Sequence, residues 1–429
     1  MSLGLHEKCL NNLKEKLAAT LEGAIVKNKS YLDIDCLIGY LELEKSLPTS
    51  GKIKANIESY ISESPIFDFL YGQLSKELNE NFEYDFDTPK ARLLDIEEYS
   101  KCQEVSGRLI NLFESLPWNY IFTFKLNQEI SKFIDTQEFK LSKNIKIIKP
   151  NDQFTNSYSL KSGIAGRDRW LHGCGSLLGN SFPKEWDKDS AYIQIESTGF
   201  VGKLITTNPK YQAIDSFKSI LGIAIAIGAF EVNYSYSFGT TKNRVYIHQN
   251  IADAWEITDS TELDEDASKT ISDLKIDDLN GTLKTDEQKK AFINNRLSLL
   301  ASALSKGSVP ERLLLSGKWL FDSYCGKNEL LSFVQTMVAL EILLGDKAVS
   351  DLMGLGELLR NRCAYLIGKS HQEREEILGE FKEIYEIRSK IVHRGKGRLT
   401  RYERTLFHKL QWIVNRVIQE EIELIGKNA

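Results

Sequence analysis

The helical spacing of apolar residues in the last third of the chain is the feature that most constrains its fold. From Glu287 onward, apolar residues recur every three or four positions, which is the period of an amphipathic helix. The clearest row is Leu330, Phe333, Val334, Met337, Leu340 and Leu344. Gly345 then supplies a stop signal, and Pro310 marks another helix start. Other helices are predicted over residues 291–304, 355–367, 374–392 and 404–425, so residues 287–429 should form an all-helical bundle.

The preceding residues predict two more structured regions and a linker. Residues 1–141 look mainly helical because of three apolar rows: Leu10, Leu13, Leu17 and Leu21; Ile34, Leu37, Ile38 and Leu41; Val105, Leu109, Leu112 and Phe113. Residues 142–260 predict an α+β module with short strands at 145–148, 192–195, 234–238 and 245–248 and an apolar helix at 214–230. Residues 261–286 are acidic and predict a linker. The expected fold is a multidomain α+β protein that is mostly helical.

Composition limits the classes of protein to which the chain can belong. Its 429 residues carry a formal net charge of −5, so a surface for nucleic acid must be local. The six cysteines are scattered with no CxxC pair, a pattern typical of free thiols in a reducing cytoplasm. The start of the chain has no signal-peptide pattern, and the longest apolar run, 220–230, is too short to span a bilayer. We expect a cytoplasmic protein without membrane contact.

Several residues outside the bundle are of types that bind ligands, but the sequence around them lacks the motifs that such sites require. Gly173, Gly175 and Gly179 lack both the dinucleotide-binding fingerprint and the phosphate-loop Gly-Lys-Ser/Thr. His172 and Cys174 have no evident third metal ligand. His248 is more often structural in such a strand. Trp170, Trp186 and Trp255 are expected to pack, and the alternative for a tryptophan on a loop is stacking on a base. We therefore expect neither a metal ion nor a cofactor.

The segment at residues 387–395 carries the strongest chemical signal. It reads IRSKIVHRG and places Arg388 five positions before His393, at the end of a predicted helix that Gly395 stops. Thr400 and Glu403 have the spacing of a capping box that starts the next helix. Five positions correspond to about 140° of rotation on an ideal helix. Either the helix unwinds between the two side chains, or each completes a site with residues of a second chain.

Arginine and histidine are the groups that metal-free RNA cleavage requires. A histidine shuttles the proton between the ribose 2′-oxygen and the 5′-oxygen, and an arginine fork binds the charged phosphate. The surrounding residues Lys390, Arg394, Lys396, Arg398, Arg401, Arg404 and Lys409 form a local basic cluster suited to a phosphate backbone. Two plainer readings stay open, because the spacing also arises by chance and basic residues also follow ordinary helix ends. Glu341, if buried, needs a cationic partner such as Arg388 or Arg362.

Three segments together resemble a known family. FVQTMVALEILLGD, LLRNRCAYLIG and IYEIRSKIVHRGKG are similar to the HEPN domain of the ApeA-like group. The resemblance covers the last third of the chain and implies an all-helical domain with an Arg-x4–6-His motif in a metal-independent endoribonuclease site formed across a homodimer. It implies that Arg388 and His393 are catalytic. It also implies supporting roles for Glu341, Ser389 and Lys390, and RNA binding by Arg394, Lys396, Arg398 and Arg401. The family often has glycine directly after the histidine, where this chain has Arg394.

The resemblance further implies a biological role. It predicts a toxin-like effector of bacterial anti-phage defence, of the abortive-infection type, with RNA such as tRNA as substrate. The regions before the bundle would sense a phage-derived trigger or hold the nuclease inactive. The alternative is a non-catalytic HEPN scaffold that binds RNA, nucleotide or a partner protein. A nucleotide-hydrolysing switch is disfavoured because the chain lacks a phosphate-loop motif.

Overall fold

The computed structural model describes residues 2–33, 38–82, 87, 90–161, 185–202, 207–233, 242–277, 281–305 and 311–427. In the first part of the chain, helices pack with a small antiparallel sheet. The helices are α1 Glu7–Leu21, α2 Ile38–Glu44, α3 Gly51–Tyr60, α4 Pro65–Asn81 and α5 Cys102–Glu114. The strands are β1 Ile25–Lys27, β2 Tyr31–Leu32 and β3 Lys90–Arg92, in the order β2-β1-β3.

The N-terminal helices confirm two of the three predicted apolar rows. Leu13, Leu17 and Leu21 of α1 are buried, and α5 buries the other predicted row through Val105, Leu109 and Phe113. The third row is wrong at Leu41, which lies in α2 and is 47% exposed. Ile34 and Leu37 lie outside the described residues. An amphipathic row therefore predicted a buried face only where the helix was long enough to repeat it.

The central region contains a six-stranded antiparallel sheet in the order β10-β9-β4-β7-β6-β5. Its strands are β4 Trp118–Lys125, β5 Glu138–Lys140, β6 Ile145–Ile148, β7 Tyr192–Gly199, β9 Arg244–Ile251 and β10 Ala254–Glu262. Short strands β8 Phe230–Val232 and β11 Leu274–Ile276 pair separately. The helices of this region are α6 Gln128–Ser131, α7 Asp152–Ser157, α8 Asn208–Ala226 and α9 Glu265–Ser272. The predicted strands at 145–148, 192–195 and 245–248 are confirmed, whereas 234–238 lies outside the described residues.

The interior strand β4 had no counterpart in the sequence prediction. It pairs with β7 on one side and β9 on the other, although its residues precede the expected start of the α+β module at position 142. Phe122 and Phe124 are fully buried within it, because helix α8 covers the sheet and Phe217 stacks on Phe124 with ring centroids 4.3 Å apart. Helix α8 itself confirms the predicted apolar helix but ends before Phe230, which opens β8.

The acidic segment 261–286 is folded rather than an open linker. Strand β10 extends to Glu262, and Asp264 then caps α9 by accepting the backbone N–H of Ala267 at 2.7 Å. Ala267 and Ile271 are buried on the inner face of α9, and β11 follows within three residues. The linker prediction was based on the acidic composition and overlooked Leu263, Ala267 and Ile271, which recur at four-residue steps. That spacing is sufficient to bury one face of a two-turn helix.

The C-terminal region is helical over its described residues. The helices are α10 Asp286–Ser305, α11 Glu311–Tyr324, α12 Glu329–Leu344, α13 Lys347–Met353, α14 Leu355–Ile367, α15 His371–Arg394 and α16 Arg401–Lys427. The predicted row on α12 is confirmed at Phe333, Met337, Leu340 and Leu344, which are buried. Gly345 ends that helix as expected, while Pro310 lies outside the described residues. No helix in the described part of the chain is long and apolar enough to cross a lipid bilayer.

The central sheet and the C-terminal helices share one hydrophobic core. The buried cluster extends from Tyr120 in β4 to Ile422 in α16 without a break. Helices α8 and α11 pack backbone against backbone at Gly222 and Gly317, where a methyl group on Gly222 would overlap the Gly317 carbonyl oxygen. The glycines therefore let two backbones pack in direct contact, and the fold joins the sheet to the helical region that carries the Arg-x4-His segment.

Candidate active site

Helix α15 carries both predicted catalytic residues without interruption. Ser370 caps its start by accepting the backbone N–H of Glu373 at 3.1 Å. At its end Gly395 adopts a left-handed conformation with φ of 64°, and its N–H donates to the carbonyl oxygen of Lys390. The helix includes residues 371–394, so His393 lies in the last turn as predicted. Because the helix does not unwind, Arg388 and His393 remain about 140° apart around its axis.

Arg388 is held at the junction of α15 with α12. Its Nη2 atom lies 3.4 Å from Oε1 of Glu341, and its guanidinium lies over the ring of Tyr385 at 5.9 Å from the centroid. The two charged side chains are 23% and 19% exposed. The predicted ion partner of Glu341 is therefore Arg388. The other candidate, Arg362, instead donates to the carbonyl oxygen of Leu344 at 2.6 Å.

The ion pair of Arg388 with Glu341 is loose. Oε1 of Glu341 is buried and accepts no hydrogen bond, although it lies close enough to Arg388 for electrostatic attraction. Burial raises the pKa of Glu341, and the positive charge of Arg388 offsets part of that rise. Arg388 thus retains donor capacity for another anion while Glu341 limits where its guanidinium lies.

The basic residues near His393 divide into paired and unpaired groups. Lys396 pairs with Glu403 at 2.9 Å, Arg404 with Glu329 at 2.8 Å and Lys409 with Glu380 at 3.0 Å. In the described ranges no ion pair involves the four exposed side chains Lys390, Arg394, Arg398 and Arg401. These four cations flank His393, which is also exposed. Sequence alone identified the cluster but gave no means of separating Lys396 from its unpaired neighbours.

The connection between α15 and α16 is fixed by several local contacts. The backbone N–H of Thr400 donates to Oε2 of Glu403 at 2.7 Å, and the N–H of Glu403 donates to the Thr400 hydroxyl oxygen at 3.3 Å. The predicted capping box is therefore confirmed. Leu399 is buried beside it, with 2% of its surface exposed. Seven residues separate the exposed His393 from Arg401 at the start of α16, and Ser389 is half-buried on α15.

The other predicted candidates remain structural or lie outside the described residues. His248 is fully buried, with Nε2 at 3.2 Å from the Ser159 carbonyl oxygen, and burial lowers its pKa to about 4. Trp186 is buried against it, and Trp255 packs near Tyr158. Residues 162–184, which contain the glycine-rich segment, His172 and Cys174, are not among those described. No group of three or more His, Cys, Asp or Glu side chains in the described residues is arranged to hold a metal ion.

Comparisons with known proteins leave the function to be argued from the chain itself. Neither protein-family models, nor curated proteins, nor solved structures gave a match to this chain. The fold is that of a mostly helical α+β protein. Its residues 388–401 contain a half-buried arginine, an exposed histidine and four exposed cations that form no ion pair with a described residue.

Proposed function

We propose that the chain is a metal-independent endoribonuclease whose catalytic groups are Arg388 and His393. One observation carries the proposal: both residues lie on an intact helix, and its last turns and the residues that follow up to Arg401 carry four cations without an ion pair to a described residue, on a chain with net charge −5. Nine Lys or Arg residues and one acidic residue, Glu403, occupy positions 388–416. Such a local reversal of charge favours binding of a phosphate backbone.

The proposed reaction uses only side-chain acid–base chemistry. The 2′-oxygen of one ribose loses its proton and attacks the adjacent phosphorus, giving a 2′,3′-cyclic phosphate as the bond to the 5′-oxygen breaks. The imidazole of His393 accepts the proton of the 2′-hydroxyl and donates it to the leaving 5′-oxygen. The guanidinium of Arg388 neutralises the charge that develops on the phosphorane, for which its planar fork is well suited.

The continuous helix supports a site shared by two copies of the chain. If α15 unwound between Arg388 and His393, one chain could bring both groups to one phosphate. The helix is instead regular to Arg394, so the two groups of one chain face different directions. We propose that Arg388 of one copy and His393 of another face the same phosphate in a homodimer.

The wider role is proposed from the family resemblance. The protein would act in the cytoplasm as a toxin-like effector of anti-phage defence that cleaves cellular RNA, including tRNA. The regions before residue 287 would sense a phage-derived trigger or restrain the nuclease, and the shared core between sheet and helices offers a physical route for that control. The ion pair of Arg388 with Glu341 supports the alternative of a non-catalytic scaffold, because it gives Arg388 a structural partner.

Purified protein incubated with cellular RNA in the presence of EDTA tests the proposal. We expect cleavage products ending in 2′,3′-cyclic phosphate, and loss of cleavage and of host toxicity for Arg388→Ala and for His393→Ala. His371→Ala is the matched control, because His371 is exposed at the opposite end of the same helix. Full cleavage by the His393→Ala protein would reject the assignment. RNA binding without cleavage under every trigger condition would favour the scaffold.

A further inference from the structure

The exposed face of α16 carries a straight row of four residues that take no part in the proposed proton transfer, and of these only Arg401 has been considered above as an RNA-binding residue. Arg401, Thr405, His408 and Trp412 follow one another at steps of four, three and four, and all four are exposed. On a helix these positions lie within about 60° of one another and span roughly 16 Å. We call this set the α16 row. It begins seven residues after Arg394, where α15 ends.

The chemistry of the α16 row combines positive charge with exposed rings. Arg401 is unpaired, His408 presents an imidazole, and the indole of Trp412 is 38% exposed. Lys409 places its ammonium over the Trp412 ring at 4.7 Å from the centroid. The row contains no acidic residue. Large aromatic surface left in water beside cations is typical of binding sites for nucleic acid bases.

The neighbouring helix α15 leaves this row open. Tyr402, beside the row, donates its hydroxyl to Glu383 at 3.0 Å, and Lys409 pairs with Glu380 at 3.0 Å. These two carboxylates therefore lie along the α15 side of α16 and are occupied by side chains outside the row. Neither the hydrogen bond of Tyr402 to Glu383 nor the ion pair of Lys409 with Glu380 includes an atom of Arg401 or Trp412, which lie at the two ends of the row.

We propose that the α16 row binds unpaired bases of a single-stranded RNA, next to the site at which the strand is cut. The positive charge of the row favours an RNA strand over a second copy of the chain. A second copy docked row to row would place two positive surfaces together, whereas an RNA strand supplies phosphates for Arg401 and bases for His408 and Trp412. At 3.4 Å per stacked nucleotide, 16 Å accommodates roughly five bases. The inference rests on the proposed function for the identity of the strand as RNA.

The exposed rings of His408 and Trp412 favour a single-stranded substrate over a duplex. In a duplex the base faces are already stacked on one another, so rings on a protein surface gain little from them. The row should therefore discriminate between a single strand and a duplex of the same sequence. Phosphate contacts alone would bind both forms.

The test measures binding of fluorescent single-stranded RNA and of its duplex to full-length His393→Ala protein, which does not cut the probe. We expect Trp412→Ala in this background to weaken single-strand binding roughly five- to one-hundredfold, with a much smaller effect on the duplex. Trp412→Phe should restore most of the affinity, because the smaller ring still stacks. Tyr365→Ala is the matched control, since Tyr365 is 72% exposed and lies under the Arg374 guanidinium on another part of the bundle.

The outcomes separate this inference from the proposed function. Unchanged binding by Trp412→Ala, or equal weakening for single strand and duplex, would overturn the inference even if the wild-type protein cuts RNA. Conversion of a dimer to a monomer by Trp412→Ala in sedimentation would also overturn it, because the row would then be a subunit contact. If single-strand binding depends on Trp412 but the wild-type protein never cuts RNA, the RNA-binding role of the α16 row is supported and the proposed nuclease function is rejected.

Discussion

Replacing Gly222 by alanine should weaken the packing between the central sheet and the helical region. A methyl group at this position would overlap the carbonyl oxygen of Gly317 and lie 2.7 Å from its carbonyl carbon and 3.1 Å from the backbone nitrogen of Phe321. All three atoms belong to the backbone of α11, so no side-chain rotation relieves the overlap. Helices α8 and α11 must therefore move apart along the contact that joins the two regions.

The size of the effect follows from two opposing terms. Overpacking of this kind costs about 3 kcal/mol, the upper end of the usual range, because backbone rather than side chain is displaced. Alanine returns about 1 kcal/mol through its better helix propensity. The free energy of unfolding should thus fall by about 2 kcal/mol, and the urea midpoint should fall by this amount divided by the slope of the wild-type unfolding curve.

Gly379→Ala provides the matched control for this measurement. Gly379 is exposed within α15, and a methyl group there meets no atom within 4 Å. The same substitution should therefore stabilise the protein by about 0.5–1 kcal/mol. Urea unfolding followed by circular dichroism and by tryptophan fluorescence measures both variants and shows whether the two regions unfold together. A Gly222→Ala protein as stable as the wild type would refute the close contact between α8 and α11.

Two further predictions concern half-buried carboxylates. Glu341→Gln should lower the rate of RNA cleavage roughly ten- to a hundredfold, because Arg388 loses the partner that positions it, and should change the free energy of unfolding by less than about 1 kcal/mol. Glu329→Gln is the control, since it breaks an exposed ion pair on the same helix and should leave the cleavage rate unchanged. Equal cleavage rates for the two variants would contradict a positioning role of Glu341. Burial raises the pKa of Glu44 from 4.5 to about 7, so its folded form binds a proton more tightly than the unfolded chain does. The stability that this carboxyl contributes is present below pH 4.5 and is lost as pH rises to about 7, and after allowance for solvent screening it amounts to about 1–2 kcal/mol. The urea midpoint of Glu44→Gln should therefore lack this dependence on pH. A Glu44→Gln protein whose urea midpoint varies with pH as in the wild type would disprove the prediction.

Local signals in the C-terminal third were sufficient to predict its long helices and several of their ends, but not the short helix α13 at Lys347–Met353. The range 355–367 agrees with α14, and Gly345, Gly395 and the Thr400–Glu403 capping box end or begin helices as expected. The pairing of Glu341 with Arg388 was also among the expected alternatives. These features depend on residues a few positions apart or on the simple requirement that a buried charge has a partner, and sequence records both.

Features that depend on distant residues were missed. Strand β4 reads WNYIFTFK, and its apolar residues do not alternate cleanly because it lies inside the sheet with α8 covering Phe124. A short buried run of this kind has no distinctive period. At the candidate site, the sequence could not show that Lys396 forms an ion pair with Glu403 while Arg401 forms none with a described residue. That distinction depends on how the connection between α15 and α16 folds.

Mixed dimers test the central claim most directly. Co-expression of Arg388→Ala and His393→Ala chains with different tags allows purification of dimers that contain one of each. If two copies share the catalytic groups, one of the two sites in such a dimer retains an intact arginine and an intact histidine, so the mixed dimer should cut RNA at about half the wild-type rate, while each parent variant alone is inactive. A mixed dimer as inactive as its parents, or a wild-type nuclease that is active as a monomer, would contradict the shared site.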